Sequence, residues 1–336
     1  MVSIAIFNNK GGVGKTTLLC NLSAFFSLEK RKKVLVVDAD PQCNASSYIL
    51  GNDKLFDVYT EQPNNTILKI IECISEGESY LSRIDLPINN IGNNFGVDII
   101  IGDTSLSAKE DFLSADWIQG KNAEPRGLKT TMVFKDMLLK IAEDYDYVFF
   151  DVGPSLGAIN RTVLLACDYF IMPMSSDIFS LKAIDNISVT LKGWKSSFDK
   201  GLAEYKENKG KDYKIGDIQA ECNLKFLGYI NQQYTAKRVN DERRPVKAYD
   251  NILQQIPNKV SSEFKDLIST SIKDSLLIGE IPTFSSLVPM SQTVNKPIFK
   301  LDGNDGVVGA HFKKVAEFRS VIEKVANNVE NNLLLL

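Results

Sequence analysis

Short runs of apolar, mostly β-branched residues recur along the chain, and each has the length of one buried strand. These runs cover residues 2–7, 34–37, 97–101, 147–150, 169–172 and 226–230. Segments with the apolar spacing of helices separate most of them. Buried strands that alternate with helices are typical of a parallel sheet covered on both faces. We therefore expect an α/β fold, a doubly wound and mostly parallel sheet flanked by helices, with ligands at the carboxyl ends of its strands.

The length of 336 residues permits one large domain or two small ones, and we expect a single domain, 1–336, with two polar stretches inserted. Residues 52–96 are turn-rich, with one helix candidate over 66–74. Charges of both signs crowd residues 199–221 and predict a solvated, mobile insertion. A last helix is expected over 310–332, where an apolar stripe recurs at steps of three and four. The stripe is predicted to pack on the sheet, with a dimer helix as the alternative; it consists of Val315, Phe318, Ile322, Val325 and Val329.

Composition narrows the choice of function only slightly. The formal charge of −3 gives no overall basic field, so contact with nucleic acid would need a local patch or a dimer. Five cysteines without close pairs and a single histidine argue against a zinc site or a disulfide framework. No apolar run approaches the ~20 residues that span a bilayer, and a first strand at Val2 leaves no room for a signal peptide. We expect a cytoplasmic protein without a membrane partner.

The most informative segment follows the first predicted strand and has the pattern of a phosphate-binding loop. It consists of Lys10, Gly11, Gly12, Val13, Gly14, Lys15, Thr16 and Thr17. Its glycines let backbone N–H groups approach phosphates at a helix N-terminus. We expect Lys15 to neutralise the β- and γ-phosphates and the Thr16 hydroxyl to hold Mg²⁺. Lys10 is an addition to this pattern, and its side chain cannot easily fold back onto its own phosphate site. The alternative for the whole segment is a structural glycine turn between a strand and a helix.

Carboxylates follow two of the other predicted strands. Asp38 and Asp40 end the second of the predicted strands. A hydrolase needs such an acid to orient the attacking water or to fix the outer shell of the metal. Asp40 is the candidate for that work and Asp38 its support, whereas the alternative is a strand-ending turn capped by Asp38. Asp151 ends the run at 147–150, and we expect it beside Thr16 in the outer shell of Mg²⁺.

Taken together, these segments resemble the ParA/MinD family of P-loop ATPases, the deviant Walker A class, and most closely its ParA side. The loop 10–17 is similar to the family's Lys-Gly-Gly-Val-Gly-Lys-Thr-Thr loop. Residues 38–46 resemble its switch I segment, with Cys43 where glycine is usual, and residues 151–157 resemble its Asp-x-Pro-Pro-Ser-Leu segment, with Gly153 for the first proline. The resemblance implies that Asn231 reads adenine and that the loop with Pro282 closes over the nucleoside.

The resemblance implies that Mg²⁺ and ATP drive a face-to-face homodimer, which slow hydrolysis by Lys10, Lys15 and Asp40 then separates. Lys10 would cross to the partner's phosphates; a cation supplied in trans can be worth ~10³–10⁵ in rate in other P-loop enzymes. The expected role is partition of DNA, plasmids or chromosomes, or positioning of another cargo, with a ParB-like or other stimulating partner.

Three other functions remain as alternatives. The first is a regulatory or defence-system module that uses ATP mainly as a dimer ligand. The second, a MinD-like membrane-cycling ATPase, is disfavoured because the final four leucines have no basic face beside them. The third, a metal-cluster reductase, would need a cysteine soon after Asp151. The nearest is Cys167, which is better explained as a core residue.

A local cluster of basic residues is the candidate DNA contact, because ParA dimers bind DNA nonspecifically through surface lysines and arginines. The cluster consists of Lys237, Arg238, Arg243, Arg244 and Lys247. Against Asp241 and Glu242 the local excess is 5 − 2 = +3. Phosphate contacts would make binding salt-sensitive and blind to sequence, and would place the protein on the nucleoid. The alternative is a solvated helix face.

Overall fold

A central sheet organises the protein, whose computed structural model describes residues 1–175, 177–234, 236–239, 242–245 and 252–336. The strands are β1 Val2–Ile6, β2 Val34–Asp38, β3 Ile88–Asn89, β4 Asp98–Ile100, β5 Tyr147–Asp151, β6 Tyr169–Met174, β7 Lys214–Ile215, β8 Ile218–Gln219, β9 Lys225–Tyr234, β10 Ala236–Val239, β11 Glu242–Pro245 and β12 Leu277–Pro282. Eight of them form one sheet in the order β12-β9-β6-β1-β5-β2-β4-β3. Its described pairs are parallel except β3 with β4.

Helices cover both faces of this sheet. They are α1 Lys15–Leu28, α2 Asn44–Leu50, α3 Asn52–Glu61, α4 Leu68–Ser75, α5 Glu110–Lys121, α6 Pro125–Thr131, α7 Val133–Lys140, α8 Ala158–Ala166, α9 Ile178–Lys209, α10 Ile256–Glu263, α11 Leu287–Thr293 and α12 Ala310–Leu334. Successive side chains of β1 enter opposite cores, because strand residues alternate between faces. Ile4 and Ile6 pack with α1, α2 and α12, whereas Ala5 and Phe7 pack with α4 to α10. The predicted doubly wound α/β fold is confirmed.

Each of the six predicted strands corresponds to an observed one, with bounds shifted by a few residues. The structure adds β12, which pairs in parallel with β9 at one edge of the sheet. The sequence was interpreted there as a loop over the nucleoside, but residues 277–282 form a strand whose Ile278 is fully buried. Pro282 is the last residue of β12, where a missing N–H is tolerated at a sheet edge.

The final helix, α12, packs its apolar stripe into the same core as Ile278 of β12. All five stripe residues are buried, and at steps of three and four they fall on one side of the helix. This is the packing that the spacing predicted. Among the helices of the described ranges, none is long and apolar enough to cross a bilayer.

The two stretches interpreted as insertions are more regular than their charge suggested. Residues 52–96 contain α3, α4 and β3, although only a helix near α4 was predicted. The first part of 199–221 is the end of α9, a helix of 32 residues, and is not a separate mobile segment. Gly201 and Tyr205 are buried on its inner side, so packing decides the conformation there in spite of the flanking charges. The pair β7 and β8 forms a small antiparallel sheet after α9.

The basic cluster lies beyond β9, where β10 and β11 pair as a two-stranded antiparallel sheet. Lys237 pairs in register with Arg244, and Arg238 pairs with Arg243. These four residues therefore lie on strands and not on a helix, and their contact with DNA stays a prediction. Lys247 lies outside the described residues.

Candidate nucleotide-binding site

The glycine-rich loop joins β1 to α1 and adopts backbone conformations that favour glycine. Gly12 has φ +73° and Gly14 has φ +79°, both in the left-handed region. Gly14 immediately precedes Lys15, the first residue of α1. The loop therefore ends at the positive N-terminus of a 14-residue helix, as an anion-binding turn requires.

A cavity of about 600 Å³ opens above this loop. Of the predicted contacts, it is lined by Gly11, Gly12, Gly14, Lys15, Thr16, Thr17 and Asp40. The other lining residues are Gln42, Asn44, Ser47, Tyr48, Pro154 and Gln292. Most of the predicted phosphate-side residues thus face one space. The predicted site residues outside its lining are Lys10, Val13, Asp151, Asn231 and Pro282.

Lys15 is buried at the base of the cavity. Its Nζ donates a hydrogen bond to the Lys10 carbonyl at 3.2 Å. Burial lowers the pKa of Lys15 from its ordinary value, while the charges of Asp151 and Asp40 act in the opposite direction. An ammonium that is desolvated in this way gains from a nearby anion, so the site suits phosphate.

Thr16 and Asp151 meet at the carboxyl ends of β1 and β5. The Thr16 hydroxyl donates to Asp151 Oδ2 at 2.8 Å, and Asp151 Oδ1 is buried without a partner among the described residues. Burial raises the pKa of Asp151 well above its ordinary value, and Asp38, its register neighbour on β2, raises it further. An orphaned carboxylate oxygen beside a hydroxyl is a donor set that fits Mg²⁺.

A metal here would also need oxygens from the nucleotide or water. Within the described ranges, no group of three or more histidine, cysteine, aspartate or glutamate side chains could hold a metal ion alone. Magnesium is commonly held by one or two protein groups together with substrate phosphates and water. Thr16 and the Asp151 that it bonds fit that mode, and Asp40 lines the same cavity as Thr16.

Asp38 and Asp40 have different positions, although they are two residues apart. Asp38 is fully buried and turned toward the start of α2, where its Oδ2 accepts from Ser46 N at 2.8 Å and Ser46 Oγ at 2.6 Å. Burial raises the pKa of Asp38 to about 6. Asp40 lines the cavity, and its Oδ1 accepts from Gln42 N at 3.0 Å. Asp40 is therefore both the acid beside the phosphate loop and a turn residue.

Lys10 points away from the cavity of its own chain. Its Nζ donates to Ser175 Oγ at 2.9 Å and forms an ion pair with Asp177. The other oxygen of Asp177 caps α9 by accepting from Phe179 N at 2.9 Å and Ser180 N at 3.2 Å. Burial would raise the pKa of Asp177, but the hydrogen bonds from Lys10 and Ser175 outweigh it and hold that pKa below its ordinary value.

The residues assigned to the base lie two and three strands away from β1, on β9 and β12. Asn231 on β9 is buried, its Nδ2 donates weakly to Glu280 Oε1 at 3.4 Å, and its Oδ1 has no partner among the described residues. Pro282 ends the neighbouring strand β12. The role of Asn231 and Pro282 toward adenine stays a prediction.

One part of the cavity lining was not predicted. It includes Tyr48 of α2 and Gln292 of α11. The Tyr48 and Ser291 hydroxyls hydrogen-bond at 2.5 Å although they are 243 positions apart, and Asn21 Nδ2 of α1 donates to the same phenol at 3.3 Å. Gln42, Asn44 and Pro154 fall inside the motif segments and could have been proposed, but no sequence signal links α2 with α11.

These features define a P-loop site. A glycine loop in the left-handed conformation joins a strand to a helix, and the helix carries a lysine and a threonine beside two aspartates at strand ends. Comparison with known proteins identifies the family: the AAA_31 profile, an AAA domain, matches residues 1–203. The chain belongs to this family and is a ParA-type P-loop ATPase.

The chain is similar to two proteins whose names give no function and to one ParA family protein. An uncharacterized protein of Methanocaldococcus jannaschii, MJECL24, is 31% identical over 97% of this chain and 100% of its own length. A ParA family protein of Chlamydia trachomatis is 25% identical over 73% of this chain and 84% of its own. The crystal structure of protein DIP2308 from Corynebacterium diphtheriae has a TM-score of 0.76 and 27% identity, covering 99% of both chains.

Proposed function

We propose that the protein binds Mg²⁺ and ATP, pairs face to face with a second copy, and hydrolyses ATP slowly to separate the pair. The cycle would serve partition of DNA or positioning of another cargo. The observation that carries this proposal is the position of Lys10. It belongs to the phosphate loop, yet its ammonium group is held by Ser175 and Asp177 outside the cavity.

The division of work follows from the site. Lys15 and the N–H groups at the start of α1 bind the phosphates. Thr16 and Asp151 hold Mg²⁺, which neutralises charge on the β- and γ-phosphates when bound. Asp40 orients the attacking water from the cavity wall. Among the described residues, Lys15 is the one cation that lines the cavity, and Lys10 of a facing copy would supply a second one at the γ-phosphate.

Complementation between two inactive variants tests the shared site. Lys10→Ala and Asp40→Ala should each bind ATP and hydrolyse little of it. In an equimolar mixture, half of the dimers are mixed, and each mixed dimer holds one complete site with Asp40 from one chain and Lys10 from the other. We expect about a quarter of the wild-type rate per protomer, measured by phosphate release. Lys15→Ala, which should not bind ATP, is the control partner.

The outcomes separate the mechanisms. Normal turnover by Lys10→Ala alone, or a mixture no faster than its components, contradicts supply of the lysine in trans. Dimers that form with ATP, seen by light scattering, but show no wild-type turnover would instead support a regulatory module that uses ATP as a dimer ligand. A stimulating partner of ParB type is proposed by family likeness and would be sought as an increase in the same phosphate-release rate.

We propose DNA as a further partner, bound by β10 and β11. Their register pairs Lys237 with Arg244 and Arg238 with Arg243, so four basic residues come from two adjacent strands. DNA phosphates would neutralise both pairs, and pairing of two protomers would double the charge. Nucleoid association would follow.

Salt dependence tests the DNA contact. With four phosphates contacted, affinity should fall about 100-fold between ~50 and ~200 mM salt, and ATP should strengthen binding. Changing these four residues to glutamine should abolish binding. The control Lys206→Gln with Lys209→Gln, at the end of α9, should retain it. Binding that ignores ATP, or survives the fourfold change, contradicts this surface.

A further inference from the structure

Asn160 lies on α8, directly after the segment 151–157, and is almost completely buried. Its Nδ2 donates to the Gly153 carbonyl and to the Ser155 carbonyl, both at 2.7 Å. It also lies 3.4 Å from Ser155 Oγ. A single buried amide therefore ties both sides of Pro154 to the helix that follows.

The tied backbone is the part that faces the predicted chemistry. Pro154 lines the cavity, and a methyl group built on Gly153 would lie 3.3 Å from Asp40 Oδ1. Gly153 therefore stands directly against the carboxylate that is proposed to orient water. If the backbone of residues 153–155 moved, Asp40 would lose a contact that restricts its side chain.

The helix itself does not depend on Asn160. Glu110 of α5 caps its start: Glu110 Oε2 accepts from Ala158 N at 2.6 Å and Oε1 accepts from Ile159 N at 3.3 Å. Loss of the Asn160 amide would leave two carbonyls of the loop without their donor and would leave the helix end capped. Effects on the loop and on the helix can thus be separated.

We propose that Asn160 is a positioning residue for hydrolysis: it fixes residues 153–155 against Asp40 and contributes little to nucleotide affinity. This inference rests on the proposed ATP hydrolysis. A displacement of about 1 Å near a reacting group can cost about 100-fold in rate. The effect should therefore appear in turnover and not in binding.

Asn160→Asp keeps the shape and replaces the donor by an oxygen, and Asn160→Ser is a second variant whose short hydroxyl cannot reach both carbonyls. Thr162→Val is the matched control, because Thr162 is a buried residue of α8 whose Oγ1 bonds Ala158 O at 2.9 Å, within the helix. We expect kcat to fall about 10- to 100-fold in both Asn160 variants, with the Kd for Mg²⁺-ATP within about 3-fold of wild type. Thr162→Val should retain kcat.

Amide hydrogen exchange over residues 152–157, without nucleotide, provides a readout independent of turnover. It should speed up in both Asn160 variants and not in Thr162→Val. If wild type hydrolyses ATP and the Asn160 variants match Thr162→Val in kcat, or if the exchange is unchanged, the positioning role is overturned. If wild type hydrolyses no ATP, the proposed function fails, and the exchange alone still decides whether Asn160 holds the loop.

Discussion

Two parts of the cavity lining are built in different ways. The phosphate end uses loops that directly follow β1, β2 and β5 in the sequence. The other part includes Tyr48 of α2 and Gln292 of α11, two helices that are joined by the hydrogen bond between Tyr48 and Ser291. Loop geometry fixes the first part, whereas a contact between segments distant in sequence fixes the second. Variants in the two parts should therefore fail in different ways.

The largest expected effect is at the phosphate end. Lys15→Ala removes the buried ammonium group and should weaken ATP binding at least about 100-fold, since a charge-assisted contact in a desolvated site is lost. Titration with a fluorescent ATP analogue measures it. Lys10→Ala serves as the control and should retain binding, because Lys10 lies outside the cavity lining. Equal losses in the two variants would contradict the separate roles.

The part of the lining that includes Tyr48 should respond in stability. Tyr48→Phe removes the phenol hydroxyl that bonds Ser291 and Asn21, and because each of them keeps a second partner, it should cost about 0.5–1.5 kcal/mol in the free energy of unfolding. Urea unfolding measures it. In a double-mutant cycle with Ser291→Ala, the two costs should be strongly non-additive. Additive costs would show that α2 and α11 are not coupled through this bond.

The phosphate end should also respond to pH. Burial raises the pKa of Asp38 to about 6, so this group is partly protonated near pH 6, and burial also raises the pKa of Asp151 well above its ordinary value. Because a bound cation favours the ionised carboxylate, binding of Mg²⁺-ATP near pH 6 should release protons and should tighten as pH rises. Calorimetry in two buffers of different ionisation enthalpy counts these protons, and Asp38→Asn should reduce the count. No buffer dependence would contradict the raised values.

Asp38 and Asp151 should also make the stability of the free protein depend on pH, and this dependence has the opposite direction to that of Mg²⁺-ATP binding. A carboxyl group whose pKa is higher in the folded than in the unfolded state contributes stability below its ordinary pKa, near 4. For Asp38 that contribution is lost as pH rises through about 6. The nucleotide-free protein should therefore lose stability between about pH 4 and about pH 6. Mg²⁺-ATP should stabilise it most above that range.

The smallest effect is expected at Cys43, which has φ +53° just before α2. Glycine would remove about 1 kcal/mol of backbone strain and lose a buried thiol, so Cys43→Gly should change the free energy of unfolding by less than about 1 kcal/mol. Cys73→Ala, at a buried cysteine within α4, has no strain to relieve and should destabilise. Equal losses in both would argue against strain at Cys43.

The sequence predicted those parts of the fold and of the site in which a local residue pattern is compatible with one structure only. Six buried strands followed from their apolar runs, and the glycine loop located the cavity. The continuation of α9 past residue 199 was missed because charged residues outnumber the buried Gly201 and Tyr205. Strand β12 was missed because its residues were interpreted through a family motif. The contact of α2 with α11 had no local signal, since packing between distant segments decides it.

The Asp177 carboxylate bonds Lys10 with one oxygen and caps the start of α9 with the other. This arrangement affects how easily Lys10 could leave its resting contact. When Lys10 leaves, the carboxylate still caps α9 through Phe179 N and Ser180 N, so no helix end is stripped of its acceptor. The ion pair itself is partly exposed, with about a third of each side chain accessible, and such pairs are worth about 0–1 kcal/mol. The resting contact is therefore too weak to act as a lock. The concentration at which two copies pair would be governed by ATP and by the surfaces that meet.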